Sequence, residues 1–349
     1  MAAAKPLLAL PAASIVVPSR NERAHIEACL RSILAFHSPR AGFEVLVVDG
    51  MSDDGTREIV TRLAREDARV RLLDNPRRTV PCAMNEGIRA ARAGIIVRID
   101  AHAECAPDYL VECLRTMEET GADNVGGPCL TRARSYWQRA NAAAYHSPFT
   151  VGNARFHFPQ YEGPVDTVVY GCYRKQTLLD LGLYDEELTR NQDDELNLRL
   201  VRRGGRIWQS PRIRSWYYPR ASLGDLVRQY VQYGYWKVRV IQKHRVPASW
   251  RHLVPGTFVA AVGVGAALAP WVPLVRWAWL GMLMLYLACS LAASAWIARR
   301  RGWELLPALP LVIGAYHFGY GWGFLRGVVD FLIRRRNSPS VARFERLTR

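Results

Sequence analysis

An α/β domain on a mixed, mainly parallel sheet with helices on both faces, followed by interfacial helices and C-terminal transmembrane helices, is the fold class that three observations predict. Short β-branched runs alternate with segments of helical period from Ser14 onward, two long stretches near the C-terminus carry no charge, and basic residues crowd around those stretches. The runs "SIVVP" (from Ser14), "EVLVVDG" (from Glu44), "VRLLD" (from Val70) and "IIVRID" (from Ile95) read as buried strands. Helix candidates lie near 23–36, 55–66, 80–93 and 107–120. Such βαβ alternation predicts a mainly parallel sheet covered on both faces. The start, "MAAAKPLLALPAAS", is poor material for a signal peptide and reads as a lead into the first strand.

In open sheets of this kind ligands bind beyond the carboxyl ends of the strands. Asn21 and Glu22, then Asp49, then Asp100 and His102 stand at those ends. Asn, Asp and Ser also end strands and cap helices, and Asp53 and Asp54 in "GMSDDGT" suit that use. Convergence of three carboxyl ends on one crevice favours a site over a set of separate caps. No GxGxxG or GxxxxGK loop follows these strands, so the corresponding nucleotide folds lack support.

Leu253–Val275 and Trp277–Ala298 contain no charge, and each exceeds the roughly 20 residues that a helix needs to cross a bilayer core. Leu305–Leu325 is also uncharged but carries Pro307, Pro310 and several glycines, so a broken or re-entrant segment and a full third crossing both fit. The formal net charge of +16 does not indicate nucleic acid, because the basic residues flank the apolar stretches: Arg228, Lys237, Arg239, Lys243, Arg245 and Arg251 before the first, Arg299–Arg301 after the second, Arg334–Arg336 after the third. Arg276 alone lies between the first two. This bias places the soluble part and the 299–301 loop on the cytoplasmic side of a bacterial-type inner membrane and favours re-entry for the third segment. The expected division is a catalytic domain over 1–210, interfacial acceptor-side helices over 211–252, a membrane domain over 253–333 and a basic tail over 334–349. The seven cysteines show no CxxC pair or zinc spacing and read as reduced structural thiols.

Residues 126–175 are rich in aromatic, Gly and Arg residues, which suits a substrate-facing wall. After them "NQDDELNLRL" sets Gln192, Asp193, Asp194 and Glu195 at the start of a helical pattern. An acidic first turn stabilises the helix dipole without any catalytic role, which accounts for one or two of the three carboxylates.

In order along the chain, "VVPSRNE" (Val16–Glu22), "VVDGMSDDGT" (Val47–Thr56), "RIDAH" (Arg98–His102) and "NQDDELNLRL" (Asn191–Leu200) resemble the motifs of family 2 glycosyltransferases, inverting enzymes of GT-A fold. With "RQYVQYGYWK" (Arg228–Lys237) and the apolar C-terminal segments, the resemblance extends to a membrane-anchored branch typified by the glucosyltransferase of succinoglycan biosynthesis. It implies that Asp49 recognises a uracil base, with Pro18, Asn21, Glu22, Ser52 and Asp53 on the donor. Asp100 matches the first aspartate of an Asp-x-Asp that reaches the diphosphate through a divalent metal, and His102 stands at the second. Imidazole suits Mn2+ better than Mg2+, so Asp100 and His102 predict a site preferring Mn2+. Asp193 matches the general base, Asp194 lies beside it on the acceptor side, and Gln192 replaces the usual Glu.

Gln232 and Trp236 in "QYGYW" match a QxxRW signature with Tyr235 in place of Arg, and Trp236 is expected to stack on the acceptor, Lys237 or Arg239 supplying the missing cation. An interfacial amphipathic helix is the competing account. His317 in the third apolar segment is expected to be paired or functional, and Arg326 and Asp330 to share a helix face. The function expected is inverting transfer from a nucleotide-sugar donor, a UDP-sugar, to a polyprenyl-diphosphate-linked acceptor in exopolysaccharide or cell-surface glycan synthesis, alongside other polysaccharide-assembly proteins. Transfer to polyprenyl phosphate itself and a non-catalytic membrane-anchored nucleotide-sugar binding protein are the alternatives.

Overall fold

The computed structural model describes residues 10–247 and 249–335. The expected basic tail therefore lies, beyond Arg335, outside the described residues. Within them the chain forms two compact units: residues up to 130 with 159–217, and 131–158 with those from 218 onward. The second unit thus takes in a segment, 131–158, that a linear division at residue 210 assigns to the catalytic part.

The first unit begins with β1 (Ala13–Ser19), α1 (Ile26–Leu34), β2 (Phe43–Asp49), α2 (Thr56–Glu66), β3 (Val70–Asp74), α3 (Val80–Ala90), β4 (Ile95–Arg98), β5 (Glu104–Cys105), α4 (Tyr109–Thr120), β6 (Asn124–Gly127) and β7 (Cys129–Thr131). The chain leaves for α5 (Tyr136–Tyr145) and α6 (Pro148–Val151) of the second unit and returns with β8 (Gly163–Pro164), β9 (Val169–Arg174), α7 (Lys175–Asp180), α8 (Gln192–Arg202), β10 (Ile207–Gln209) and β11 (Ser215–Tyr217). The main sheet has the order β3-β2-β1-β4-β9-β6-β10-β8. β1, β2, β3 and β4 run parallel, whereas β9 is antiparallel to both β4 and β6, which makes the sheet mixed as predicted.

Alternation along the strands sorts side chains onto two faces. Ile15, Val17, Val45 and Val47 join Ile26, Leu30, Val60, Leu63 and Leu110 in one core. Val16, Leu46, Val48 and Ile96 join Met84, Ile88, Leu178, Leu196 and Leu200 in the other. Register then fixes the site: Ser19 lies opposite Asp49 and Asp49 opposite Asp74, so three polar carboxyl ends sit side by side. β5, β11 and β7 form a separate small sheet.

The second unit is completed by α9 (Leu223–His244), α10 (Val254–Leu268), α11 (Pro273–Arg301) and α12 (Leu309–Gly327), the last running into a π-helical turn over Val328–Ile333. Trp250–Leu268 and Pro273–Arg301 are long and apolar enough to cross a membrane. Their surfaces expose large apolar side chains, Leu274 at 79%, Trp277 at 67% and Leu285 at 66%, which a core helix would bury.

The third apolar segment is not broken. Pro310 falls in the first helical turn, where its missing N–H costs nothing, and α12 continues through its glycines. Those glycines form a close-packing seam. Cβ atoms at Gly319, Gly323 and Gly327 would meet the carbonyls of Val227, Val231 and Tyr235, each one turn further along α9, and Gly234 of α9 faces the carbonyl of Tyr320. Gly321 faces Pro255 of α10 in the same way. A Gly323→Leu substitution is therefore expected to destabilise this unit by about 3 kcal/mol or more, because a backbone carbonyl cannot move aside as a side chain can. Gly281→Leu, with no neighbour within 4 Å, is the control and should leave the thermal midpoint in detergent unchanged. Equal midpoints for the two variants would refute the seam.

His317 is paired, its Nδ1 3.1 Å from the Tyr286 hydroxyl and its Nε2 3.0 Å from the Phe149 carbonyl. Asp330 accepts a hydrogen bond from the Tyr235 hydroxyl at 3.1 Å and lies 3.7 Å from Arg334.

Candidate active site

At the end of β2, Asp49 is fully buried. Its Oδ1 accepts hydrogen bonds from the Ser52 hydroxyl at 2.6 Å and the Ser19 hydroxyl at 3.1 Å. Its Oδ2 accepts from the Ser52 backbone N–H at 2.8 Å and from Arg57 at 3.0 Å, the same guanidinium reaching Asp74 at 2.7 Å. The network passes on to the loop after β1. Asn21 N–H donates to the Ser52 hydroxyl at 2.7 Å, and Asp53 N–H donates to the Asn21 side-chain oxygen at 3.0 Å. Glu22 N–H donates to Thr56 at 2.8 Å. Asn21, Glu22, Asp49, Ser52 and Asp53 are thus parts of one knot that joins two loops, while Pro18 sits one residue before Ser19 in β1, opposite Val48. Asn21 and Met51 hold left-handed backbone within it, at φ 53° and 57°, a conformation that costs free energy and recurs at functional sites. Asp49 already has four donors, so contact with a base requires one of them to give way.

The "DAH" stretch is a tight turn closed by Ala103 N–H donating to the Asp100 carbonyl at 2.9 Å. Ala101 and Ala103 point into the core at 2% and 1% exposure, while the side chains of Asp100 and His102 are 25% and 42% exposed. Small residues at the alternate positions are what allow these two side chains to look outward. His102 Nδ1 lies 3.6 Å from Glu22.

Beneath Asp100 lies Arg98, which the sequence showed only as part of a motif. This guanidinium is buried and bonds Asp100 at 2.9 Å through Nε, and its Nη1 sits 4.0 Å from Asp193. Burial works against the charge on both partners. The charges of Asp100 and Asp193 nevertheless hold Arg98 firmly protonated, and Arg98, His102 and Arg190 hold the Asp100 carboxyl below its usual range. One buried cation therefore joins the end of β4 to the start of α8.

Asp193 is half-exposed, and its Oδ1 accepts the N–H of Asp194 at 2.9 Å. Its neighbours in the motif have other tasks. Glu195 is buried and paired to Arg199 at 2.8 Å, and Arg199 also donates to the carbonyls of Leu181 and Leu183. Asn197 joins Asn124, Thr167 and Tyr173. Asn85 of α3 clamps the preceding loop, donating to the Tyr184 carbonyl and accepting the Tyr184 N–H, both at 2.9 Å. Asn191 enters α8 with φ 58°. Gln232 and Trp236 lie in the second unit and are buried at 1% and 2% exposure, so no stacking face is open to solvent there.

The model of glycosyl transferase family 2 matches residues 14–181. The succinoglycan biosynthesis protein ExoA of Rhizobium meliloti is 34% identical over 92% of this chain and 96% of its own length. A dolichyl N-acetyl-alpha-D-glucosaminyl phosphate 3-beta-D-2,3-diacetamido-2,3-dideoxy-beta-D-glucuronosyltransferase of Methanococcus voltae is 26% identical over 90% of this chain and 97% of its own. Among solved structures, the mannosyltransferase PcManGT of Pyrobaculum calidifontis, in complex with GDP-Man and Mn2+, superimposes with a TM-score of 0.60 at 20% identity, covering 90% of this chain and 88% of that one. At that identity the likeness speaks for the fold, which agrees with the mixed sheet described above. The chain belongs to glycosyl transferase family 2 and is a glycosyltransferase.

Proposed function

We propose that the chain transfers a sugar, with inversion, from a UDP-sugar to a polyprenyl-diphosphate-linked acceptor at the cytoplasmic face of a membrane. The carrying observation is Arg98: one buried guanidinium pairs with Asp100, on the donor side, and neighbours Asp193, a half-exposed carboxylate at the start of α8 that we assign as the base. Inversion by a single displacement needs only one such base within reach of the attacking hydroxyl. The knot around Asp49 and Ser52 holds the nucleoside. Asp194, beside Asp193 in the first turn of α8, belongs to the acceptor side.

The donor set also fits a divalent metal. Among the described residues no cluster of three or more His, Cys, Asp or Glu side chains is placed to hold an ion, so Asp100 and His102 are a partial set to be completed by diphosphate oxygens. Glu22, 3.6 Å from His102, suits the role of orienting the imidazole. When bound, a metal offsets the charge that builds on the leaving diphosphate. The names of the relatives support the acceptor class. One is a succinoglycan biosynthesis protein, and the other's name describes a dolichyl phosphate-linked sugar.

The test is release of nucleotide from a panel of nucleotide sugars by the purified chain with a membrane lipid extract, with Mn2+ or Mg2+. Release from a UDP-sugar, faster with Mn2+, is expected, and His102→Asp should narrow the preference because a carboxylate suits Mg2+ better. No turnover with any donor or metal would leave only the binding-protein alternative. Unchanged metal dependence in His102→Ala would remove His102 from the site.

A further inference from the structure

The last apolar helix has an outer face that nothing in the second unit covers. From Leu309 to Ile333 the exposed side chains are Leu311, Phe318, Trp322, Val329, Leu332 and Ile333, none of them charged, with Trp322 at 59% and Ile333 at 69%. Steps of seven, four, seven and four residues join Leu311, Phe318, Trp322, Val329 and Ile333, so these five form one stripe along the helix. The stripe is bounded on both flanks. Gly319, Gly323 and Gly327 press on α9 on one side, and Gly321 presses on Pro255 at the start of α10 on the other.

The neighbouring helix says how this face meets a bilayer. α9 and α12 run side by side in the same direction: the rings of Tyr230 and Tyr316 lie 4.1 Å apart, Gly323 faces the Val231 carbonyl, the Tyr235 hydroxyl donates to Asp330 at 3.1 Å and the Gln242 amide donates to the Phe331 carbonyl at 2.7 Å. Two helices held in step over this length share one tilt and one depth. α9 is no crossing helix, because Gln229, Gln232, Lys237, Arg239 and Gln242 interrupt it and it exposes Arg228 and Lys243 near its two ends. Contacts with α10 agree. Gly321 packs on Pro255 and Val259, Phe324 on Gly256, and Phe318 on Phe258 with ring centroids 5.5 Å apart, so α12 passes over the beginning of α10 there. The Phe318 contact also makes the stripe continuous with the apolar surface of the two long helices. Exposed arginines stand at both ends, Arg299–Arg301 before α12 and Arg334 and Arg335 after it, which the charge bias places on one side of a membrane. We infer that α12 does not cross the bilayer but lies along its surface, with Leu311, Phe318, Trp322, Val329 and Ile333 among the acyl chains at the headgroup boundary. An apolar face of this kind, backed by a polar partner helix, suits that depth. With α10 and α11 as the two crossings, Arg335 returns to the side on which α9 lies.

Nitroxide labels on the full chain in lipid nanodiscs test the depth. Single cysteines replace Leu311, Phe318, Trp322 and Val329 in a Cys289→Ala background, since Cys289 is an exposed native thiol, and the signal of that background is subtracted. Collision with oxygen against a nickel chelate reports how deep each label sits. All four should lie at one shallow depth, well above a label at Met284 in the middle of α11. A crossing helix would spread them over about 27 Å at about 1.5 Å per residue, and a spread above about 13 Å overturns the inference. Labels shielded from both oxygen and nickel would mean that a second copy of the chain covers the stripe, which overturns it as well. Sidedness is the second measurement and leaves the stripe intact. In sealed vesicles an impermeant maleimide should modify Lys243→Cys and Arg335→Cys from the same side. Modification from opposite sides makes α12 a third crossing and refutes the surface position. Neither readout uses sugar transfer, so both stand apart from the proposed reaction.

Discussion

Asparagine in place of Asp193 is expected to lower nucleotide release by about 10²–10⁴-fold, the usual contribution of a positioned general base, with the donor still bound. The fold should survive, since an amide oxygen can keep the contact that Oδ1 makes with the Asp194 N–H. The neighbours supply the contrast. Glu195 is buried in its pair with Arg199, so Glu195→Gln should cost stability rather than turnover. A loss confined to Asp194→Asn, with Asp193→Asn fully active in single-turnover measurements, would move the base by one residue and refute the assignment.

Methionine in place of Arg98 should destabilise the first unit by about 3 kcal/mol, near the low end for a broken buried pair because Asp100 is partly exposed. The effect carries a sign in pH. Asp100 titrates below its usual value in the folded state, so its stabilising share is full above the unfolded value of about 3.9 and disappears as pH falls through the lower folded value. Arg98→Met removes that share. Denaturant unfolding should therefore show a gap between wild type and variant at pH 7 that shrinks as the pH drops below about 4. A gap that is constant with pH would mean that Arg98 acts through packing alone.

The first four strands were legible because each is a largely apolar run ending in a polar residue, and register did the rest by setting Ser19, Asp49 and Asp74 side by side. The antiparallel β9 was not, since "VYGCYR" is interrupted by Gly171 and has left-handed backbone at Tyr170. Arg98 escaped notice as a site residue because arginine at a strand end usually reaches water; only the topology shows it turned toward α8. The prolines and glycines of the third apolar segment left a broken and a continuous helix both open. Nothing in a single segment reveals that its small residues match carbonyls on another helix. Residues 131–158 gave no warning of their unit, because the alanines Ala140, Ala143 and Ala144 that bury them are too small to mark a strong apolar face.

The glycine seam also sets an order of assembly. Ribosomes deliver α5 and α6 early, α9 next and α12 last, yet Ala140 and Ala144 share one core with Leu309, Val312 and Ile313. The helical unit therefore stays open until the final apolar helix has been made, and its first segment waits while the rest of the other unit is translated. Long-range closure of this kind is slow and leaves apolar surface uncovered in the interval. A chain cut short before Leu309 would keep both α5 and the Gly234 face of α9 without their partner.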